Sequence, residues 1–93
     1  MMPKASTVPI ALTSELIRAA RALLRWEQRQ LAEASSVSLP TIKRLEAKPG
    51  LLVAHGSTMA AIRAALERAG IQFIEENGGG AGVRMRKRSR LRT

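Results

Sequence analysis

Four polar side chains between positions 38 and 44 could do recognition chemistry: Ser38, Thr41, Lys43 and Arg44. Their hydroxyl, ammonium and guanidinium groups donate hydrogen bonds to acceptors on base edges and phosphates without help from a cofactor. The spacing places all four on the outward side of one short helix, at its start and one turn further on. A short helix with such a face suits insertion into the major groove of DNA.

The apolar residues around these side chains predict the elements that hold them. Over residues 28–45 they fit two short helices that meet at a tight turn, with the inward positions Leu31, Ala32, Val37, Ile42 and Leu45. We predict these helices over residues 28–35 and 39–47. Ser38 is the expected N-cap of the second helix. Pro40 fits its first turn, where amide hydrogens have no acceptor within the helix.

Two more helices are predicted on either side of this pair. The earlier one has Thr13 or Ser14 as its N-cap and ends near residue 25 or 26. The later one follows a loop that contains proline and glycine, and Ser57 or Thr58 is its expected N-cap. Gly70 is placed to adopt the left-handed conformation just beyond its C-terminus.

After the last helix the apolar period changes from helical to alternating. Ile71 and Phe73 fall on one side of a short strand, and Val83 and Met85 alternate with arginines in another. The intervening NGGGAG at residues 77–82 predicts the turn of a β-hairpin. Because a two-stranded hairpin is marginal alone, we expect it to pack on the helices or to pair with another chain.

The 93 residues are enough for one domain with a modest core. We expect a flexible arm at residues 1–12, a four-helix DNA-binding domain at 13–70, a β-hairpin that could mediate dimerisation at 71–86, and a disordered basic tail at 87–93. The fold class is therefore mainly α with a short C-terminal hairpin. No cysteine is present to form a disulfide, so a homodimer is the expected source of extra stability.

The charge is unevenly distributed. The formal net charge is +9, from 16 Lys and Arg against 7 acidic residues, and six of the sixteen cations lie within residues 84–93. A basic domain with a strongly basic tail is typical of proteins that bind a polyanion. The chain has only two aromatic residues, Trp26 and Phe73, whereas RNA-recognition sheets and single-strand grooves use several exposed rings. Double-stranded DNA is the favoured partner.

Membrane insertion and catalysis are not expected. No apolar run approaches the roughly 20 residues that span a bilayer, and the start of the chain lacks a secretory signal, which favours a cytoplasmic protein. With no cysteine, the single histidine His55 and scattered acids, neither an activated nucleophile nor a set of metal ligands can be assembled. We therefore predict no enzyme activity, no cofactor and no metal.

The string LIRAARALLRWEQRQLAEASSVSLPTIKRLE at residues 16–46 resembles the XRE family, the helix-turn-helix regulators that include phage repressors and Cro. It keeps the family pattern of a first helix ending in a large apolar residue, followed by Gln, Leu-Ala-Glu, Val-Ser, Thr-Ile and Leu-Glu. Residues 57–87 also resemble the fourth helix and hairpin of a small bacterial subfamily of such regulators. The two stretches cover about two thirds of the chain.

The resemblance implies roles for individual residues. Gln28, at the start of the second helix, would contact a DNA phosphate. The family's base-facing positions are Leu39, Pro40 and Arg44; the arginine can donate two hydrogen bonds to guanine, while the other two offer only apolar contact. The full set of expected DNA-binding residues is Gln28, Ser38, Leu39, Pro40, Thr41, Lys43, Arg44 and Lys48. Arg21 and Glu46 match a structural salt bridge of some relatives.

Four departures from the family pattern affect local geometry and specificity. Ser36 stands where the turn usually has glycine, and a left-handed conformation costs a non-glycine residue about 1 to 2 kcal/mol. Ser35 occupies a position that is usually apolar, and Glu27 replaces the usual Ser or Thr cap. Leu39 and Pro40 replace the polar residues that are commoner at these base-facing positions, which leaves Arg44 as the main expected determinant of the DNA sequence.

The sequence thus predicts a small regulator that reads a short palindrome in double-stranded DNA through the helix starting near Leu39. An alternative is a protein-interaction module, such as an antitoxin or an antiactivator, that uses the hairpin or the tail to bind a protein. A further alternative is a nucleic-acid binder without sequence preference that uses mainly the tail. A last alternative is that residues 28–45 form an ordinary helical hairpin with no nucleic-acid partner.

Overall fold

A computed structural model describes residues 12–87 of the chain. The elements in chain order are helices α1 (Ser14–Leu24), α2 (Gln28–Ser35), α3 (Leu39–Ala47) and α4 (Gly56–Arg68), and strands β1 (Ile71–Ile74) and β2 (Gly82–Met85). The prediction of a mainly helical chain with a small C-terminal antiparallel hairpin is confirmed. The predicted arm up to residue 11 and the tail from residue 88 onward lie outside the described residues.

All four helices and the first strand contribute to one core. The largest fully buried side chains are those of Ile17, Leu31, Ile42, Ile62, Leu66 and Ile71. Trp26, just after α1, and Val37, in the α2–α3 turn, are half-buried and pack against this cluster; Val37 is one of the predicted inward positions. None of the helices within residues 12–87 is long and apolar enough to cross a membrane.

The helix starts follow the predicted caps except at α4. The Thr13 hydroxyl accepts the N–H of Leu16 at 3.0 Å and so caps α1. The expected caps of α4, Ser57 and Thr58, are wrong by two to three residues, because the N-cap is His55. That helix starts at Gly56 because the carbonyl of His55 accepts the first helical N–H, from Met59 at 3.1 Å, and the His55 side chain makes no capping hydrogen bond.

A short antiparallel contact anchors the start of α1 to the loop after α3. The N–H of Leu52 donates to the carbonyl of Leu12 at 3.1 Å, and the N–H of Ser14 donates to the carbonyl of Gly50 at 3.0 Å. Leu12 is buried in the core instead of belonging to the predicted arm, because this pairing carries its side chain inward beside Leu52. Leu12, which the sequence assigns to the flexible arm, is therefore part of the core.

The hairpin packs its apolar face on the helices. Its register pairs Ile71 with Met85 and Phe73 with Val83, which puts these four side chains on the same face. Ile71 and Phe73 are buried in the core. Gly70 joins α4 to the hairpin with φ +114°, the left-handed conformation expected of it. Packing on the helices is thus what stabilises an otherwise marginal two-stranded sheet.

Glu15 adds a polar contact at the same anchor. Its carboxylate accepts the N–H of Gly50 at 3.1 and 3.3 Å through its two oxygens. The N–H of Glu15 itself, and then that of Gly50, lower the pKa of this carboxyl below its ordinary value. The residue also lies in the first turn of α1, where the helix dipole favours a negative charge.

Replacing Glu15 by Gln will therefore lower stability in a pH-dependent way. The folded pKa of Glu15 is lowered, so its contribution is fully present above the ordinary glutamate pKa and disappears as the pH falls through the folded value. We expect Glu15→Gln to melt below the wild type at neutral pH and level with it at strongly acidic pH. Thermal unfolding followed by circular dichroism across this pH range measures the difference.

Glu33→Gln is the matched control. Glu33 is an exposed carboxylate on α2 that accepts no hydrogen bond within residues 12–87, so its replacement should leave the melting curve close to that of the wild type. A Glu15→Gln chain that melts with the wild type at neutral pH would show that the Glu15–Gly50 contact does not stabilise the fold.

Candidate nucleic-acid interface

The connection between α2 and α3 is a three-residue turn, from Ser36 to Ser38. Ser36 has φ +61° and ψ +24°, so a serine adopts the left-handed conformation that usually favours glycine. The buried hydroxyl of Ser35 supports this bend: it donates to the carbonyl of Leu31 at 2.7 Å and accepts the N–H of Val37 at 3.2 Å. Ser35 thus stabilises the turn through hydrogen bonds where an apolar residue would have only packed.

The start of α3 is fixed by its cap. The Ser38 hydroxyl accepts the N–H of Thr41 at 3.3 Å and donates to the Thr41 hydroxyl at 2.8 Å. Pro40 lies in the first turn, as predicted from its missing amide hydrogen. Both hydroxyls lie at the surface, so a ligand that approaches the N-terminus of α3 would meet them first.

The outward side of α3 is cationic. Lys43, Arg44 and Lys48 are exposed, and none of them forms an ion pair with another residue between 12 and 87. The only acid of α3 is Glu46, whose side chain is 3% exposed and turned inward. Helix α3 and its C-cap residue Lys48 therefore present three exposed cations that no ion pair within residues 12–87 neutralises, which favours binding of an anion.

Not every predicted site residue has the same access to solvent. Ser38, Pro40, Lys43, Arg44 and Lys48 are exposed, whereas Thr41 is half-buried. Leu39 is half-buried and packs against the core, so only part of its side chain could meet a ligand.

Glu46 is the centre of a polar network that joins α3 to α1. Its carboxylate accepts Nε of Arg21 at 2.8 Å and Nη2 of the same arginine at 2.6 Å, a two-pronged ion pair. Arg21 also donates to the carbonyl of Trp26 at 2.9 Å, at the end of α1. Arg18, one turn earlier on α1, donates to the main-chain carbonyl of Glu46 at 2.8 Å. These bonds fix the orientation of the last turn of α3 relative to α1.

The side chain of Gln28 belongs to the same network. Its Nε2 donates to Oε1 of Glu46 at 3.1 Å, and the residue is half-buried at the first position of α2. This bond uses one of two amide hydrogens, so the other remains for the predicted phosphate contact. Sequence reasoning missed the contribution of Arg18, although its spacing of three from Arg21 along α1 puts both arginines on the same side of that helix.

Removing Arg21 will destabilise the fold strongly. Arg21→Ala leaves the Glu46 carboxylate buried, with Gln28 as its remaining side-chain partner. Removing one partner of a buried ion pair lowers the free energy of unfolding by about 3 kcal/mol or more, because the other charge stays buried without compensation. We expect a loss of about 3 kcal/mol in the free energy of unfolding, measured by urea denaturation. The Arg21 side chain is 17% exposed, so solvent relieves part of the penalty.

Arg29→Ala is the matched control. Arg29 lies 3.7 Å from Glu27 in an ion pair whose side chains are 69% and 78% exposed, and such pairs contribute about 0 to 1 kcal/mol. Equal losses for Arg21→Ala and Arg29→Ala would mean that the Arg21–Glu46 pair does not fix α3. The double substitution Arg21→Met, Glu46→Leu should recover most of the loss, because it leaves no charge unpaired.

Between residues 12 and 87, no three His, Cys, Asp or Glu side chains come together as a metal site. In comparisons with known proteins, no family model matches the sequence and no curated protein matches it. The function of the chain therefore has to be proposed from its own residues and their geometry.

Proposed function

We propose that this chain is a cytoplasmic, sequence-specific regulator of transcription that binds double-stranded DNA through α3. The observation that carries the proposal is the outward side of α3, where Lys43, Arg44 and Lys48 are exposed and unpaired while Glu46 is held inside by Arg21. A short helix of this kind fits the major groove, where base edges display their full pattern of donors and acceptors.

The arrangement of α2 and α3 supports a helix-turn-helix role. Two short helices joined by a three-residue turn are the geometry in which the second helix enters the groove and the first crosses the DNA backbone. The free amides at the start of α2 and the second amide hydrogen of Gln28 suit a phosphate there. Lys48, at the other end of α3, could bind a second phosphate.

Arg44 is the residue to which we assign base specificity. It is exposed on the second turn of α3, and its planar guanidinium can donate two hydrogen bonds to O6 and N7 of a guanine. Lys43, its neighbour, carries a flexible point charge that suits a phosphate better. Pro40 offers an apolar contact to a thymine methyl, and the exposed part of Leu39 could add to it.

A selection experiment tests the proposal directly. Duplexes with a randomised centre are incubated with the full chain, and bound sequences are recovered and compared with the starting pool. We expect enrichment of one short site, with two-fold symmetry if two copies bind half-sites about one helical turn, ~34 Å, apart. Recovery of an unenriched pool would contradict sequence-specific binding.

Arg44→Ala should weaken discrimination at one base position. We expect a loss of about 1 to 3 kcal/mol between the selected site and its variant at that position, measured by titration of both duplexes at fixed salt. The control is Arg84→Ala, which removes an exposed arginine from the hairpin and should leave the sequence preference unchanged. An Arg44→Ala protein with wild-type affinity and preference would rule out this role for the residue.

Deleting residues 87–93 should weaken binding to every duplex alike. The segment carries four of the chain's cations and no acid, so its contribution is to phosphate neutralisation and counterion release. We expect a shallower dependence of log affinity on log salt, with unchanged sequence preference. A change of preference on deletion would show that this segment reads bases.

A further inference from the structure

The outer edge of β2 has backbone groups without partners. The N–H of Arg86 donates to the carbonyl of Gly70 at 2.7 Å, so these two residues form a hydrogen-bonded pair. In an antiparallel hairpin every second pair is hydrogen-bonded, so the next such pairs are Gln72 with Arg84 and Ile74 with Gly82. The N–H and C=O groups of Val83 and Met85 therefore point away from β1. Neither residue makes a backbone hydrogen bond to any other part of residues 12–87.

The two edges of the hairpin differ in access. On β1, Ile71 is 0% exposed and Phe73 is buried, so the core covers that strand. On β2, every residue is half-buried or exposed, and Met85 is 45% exposed. The residues of β2 are thus more accessible to solvent than those of β1, and α1 is the helix that packs against β2.

The charge at this edge is positive throughout. Arg84, Arg86 and Lys87 are exposed, and none of them forms an ion pair in the described part of the chain. Arg84 donates to the side-chain oxygen of Gln72 on β1 at 2.9 Å, and Arg86 donates to the carbonyl of Glu67 at the end of α4 at 3.2 Å, so both guanidinium groups lean toward β1. Their charges remain uncompensated.

The unpaired backbone groups of β2 and the nearby cations together indicate which kind of partner could bind. Edge strands with unpaired backbone groups accept an extended peptide as an additional strand, and side-chain chemistry decides which peptide. A second copy of β2 would place like charges opposite one another, which is destabilising, and β1 of a second copy is covered. An extended segment rich in glutamate or aspartate would instead pair its backbone with Val83 and Met85 and its charges with the flanking cations.

We propose that the β2 edge is a docking site for an acidic, extended segment of another protein, which adds to the hairpin as a third strand. This binding is separate from the proposed DNA contact of α3 and would give the chain a protein partner. Met85 supplies an exposed apolar side chain for the alternate positions of that segment. Such a partner is expected if a second protein regulates this chain or is regulated by it.

The test uses the full chain labelled with ¹⁵N and a synthetic peptide of alternating glutamate and valine. We expect the amide hydrogens of Val83 and Met85 to shift on titration and to become protected from exchange, because they acquire acceptors. The same peptide with lysine in place of glutamate should not bind. An acidic peptide that leaves these two amides unchanged, or a lysine peptide that binds equally well, would overturn the proposal.

Substitutions at Met85 separate strand addition from charge attraction. Met85→Pro removes the outward N–H without breaking a bond of the hairpin, and we expect about tenfold weaker peptide binding than for Met85→Ala, which removes only the side chain. Equal peptide binding by Met85→Pro and Met85→Ala would show that only charge attraction holds the peptide, and would refute strand addition. Should Met85→Pro fail to fold, the amide protection of the wild-type chain decides alone.

Charge variants and DNA complete the test. Arg84→Gln with Arg86→Gln should weaken peptide binding about tenfold and flatten its salt dependence, while Arg29→Gln, an exposed arginine on α2, should have no effect. Addition of a random duplex in place of the peptide should not protect the Val83 and Met85 amides. Protection by the duplex and none by the acidic peptide would make this edge a nucleic-acid contact and overturn the proposal.

Discussion

The ion pair between Arg21 and Glu46 is the interaction on which the placement of α3 depends. The apolar core holds α1, α2 and α3 together, but apolar packing is non-directional and tolerates small rotations of a helix. A two-pronged guanidinium–carboxylate pair has a fixed geometry. With Arg18 on the main-chain carbonyl of Glu46, it fixes the last turn of α3 to α1, and Gln28 ties the start of α2 to the same carboxylate.

The same pair also sets the charge of the candidate interface. Glu46 is the only acid on α3, and its burial removes a negative charge from the side that carries Lys43 and Arg44. A glutamate exposed there would repel phosphates and compete for both cations. One interaction therefore orients the helix and keeps its outward face purely cationic, which is why its loss would affect both stability and binding.

Helical bounds could be predicted from the sequence wherever local chemistry decides them. The limits of α2 and α3 follow from the Ser38 cap, Pro40 and the apolar spacing, and the hairpin follows from its alternation. What the sequence could not supply are contacts between distant residues: Glu15 with Gly50, Leu12 with Leu52, and Gln28 with Glu46. The outward residues of α3 were predictable from periodicity, but the half-burial of Leu39 depends on how the core packs around it.

Helix α1 supports both of the surfaces proposed to bind partners. It packs against α3 on one side, through Arg21 and Arg18, and against β2 on another. Ile17 and Ala20 of α1 are fully buried in the core, so the helix has little freedom to shift. A tightly packed helix resists small shifts, so we expect α1 to transmit little of a change at one surface to the other. Occupation of the β2 edge by a peptide should therefore leave the intrinsic affinity of α3 for DNA unchanged, and a partner bound there would act by recruitment or by steric exclusion.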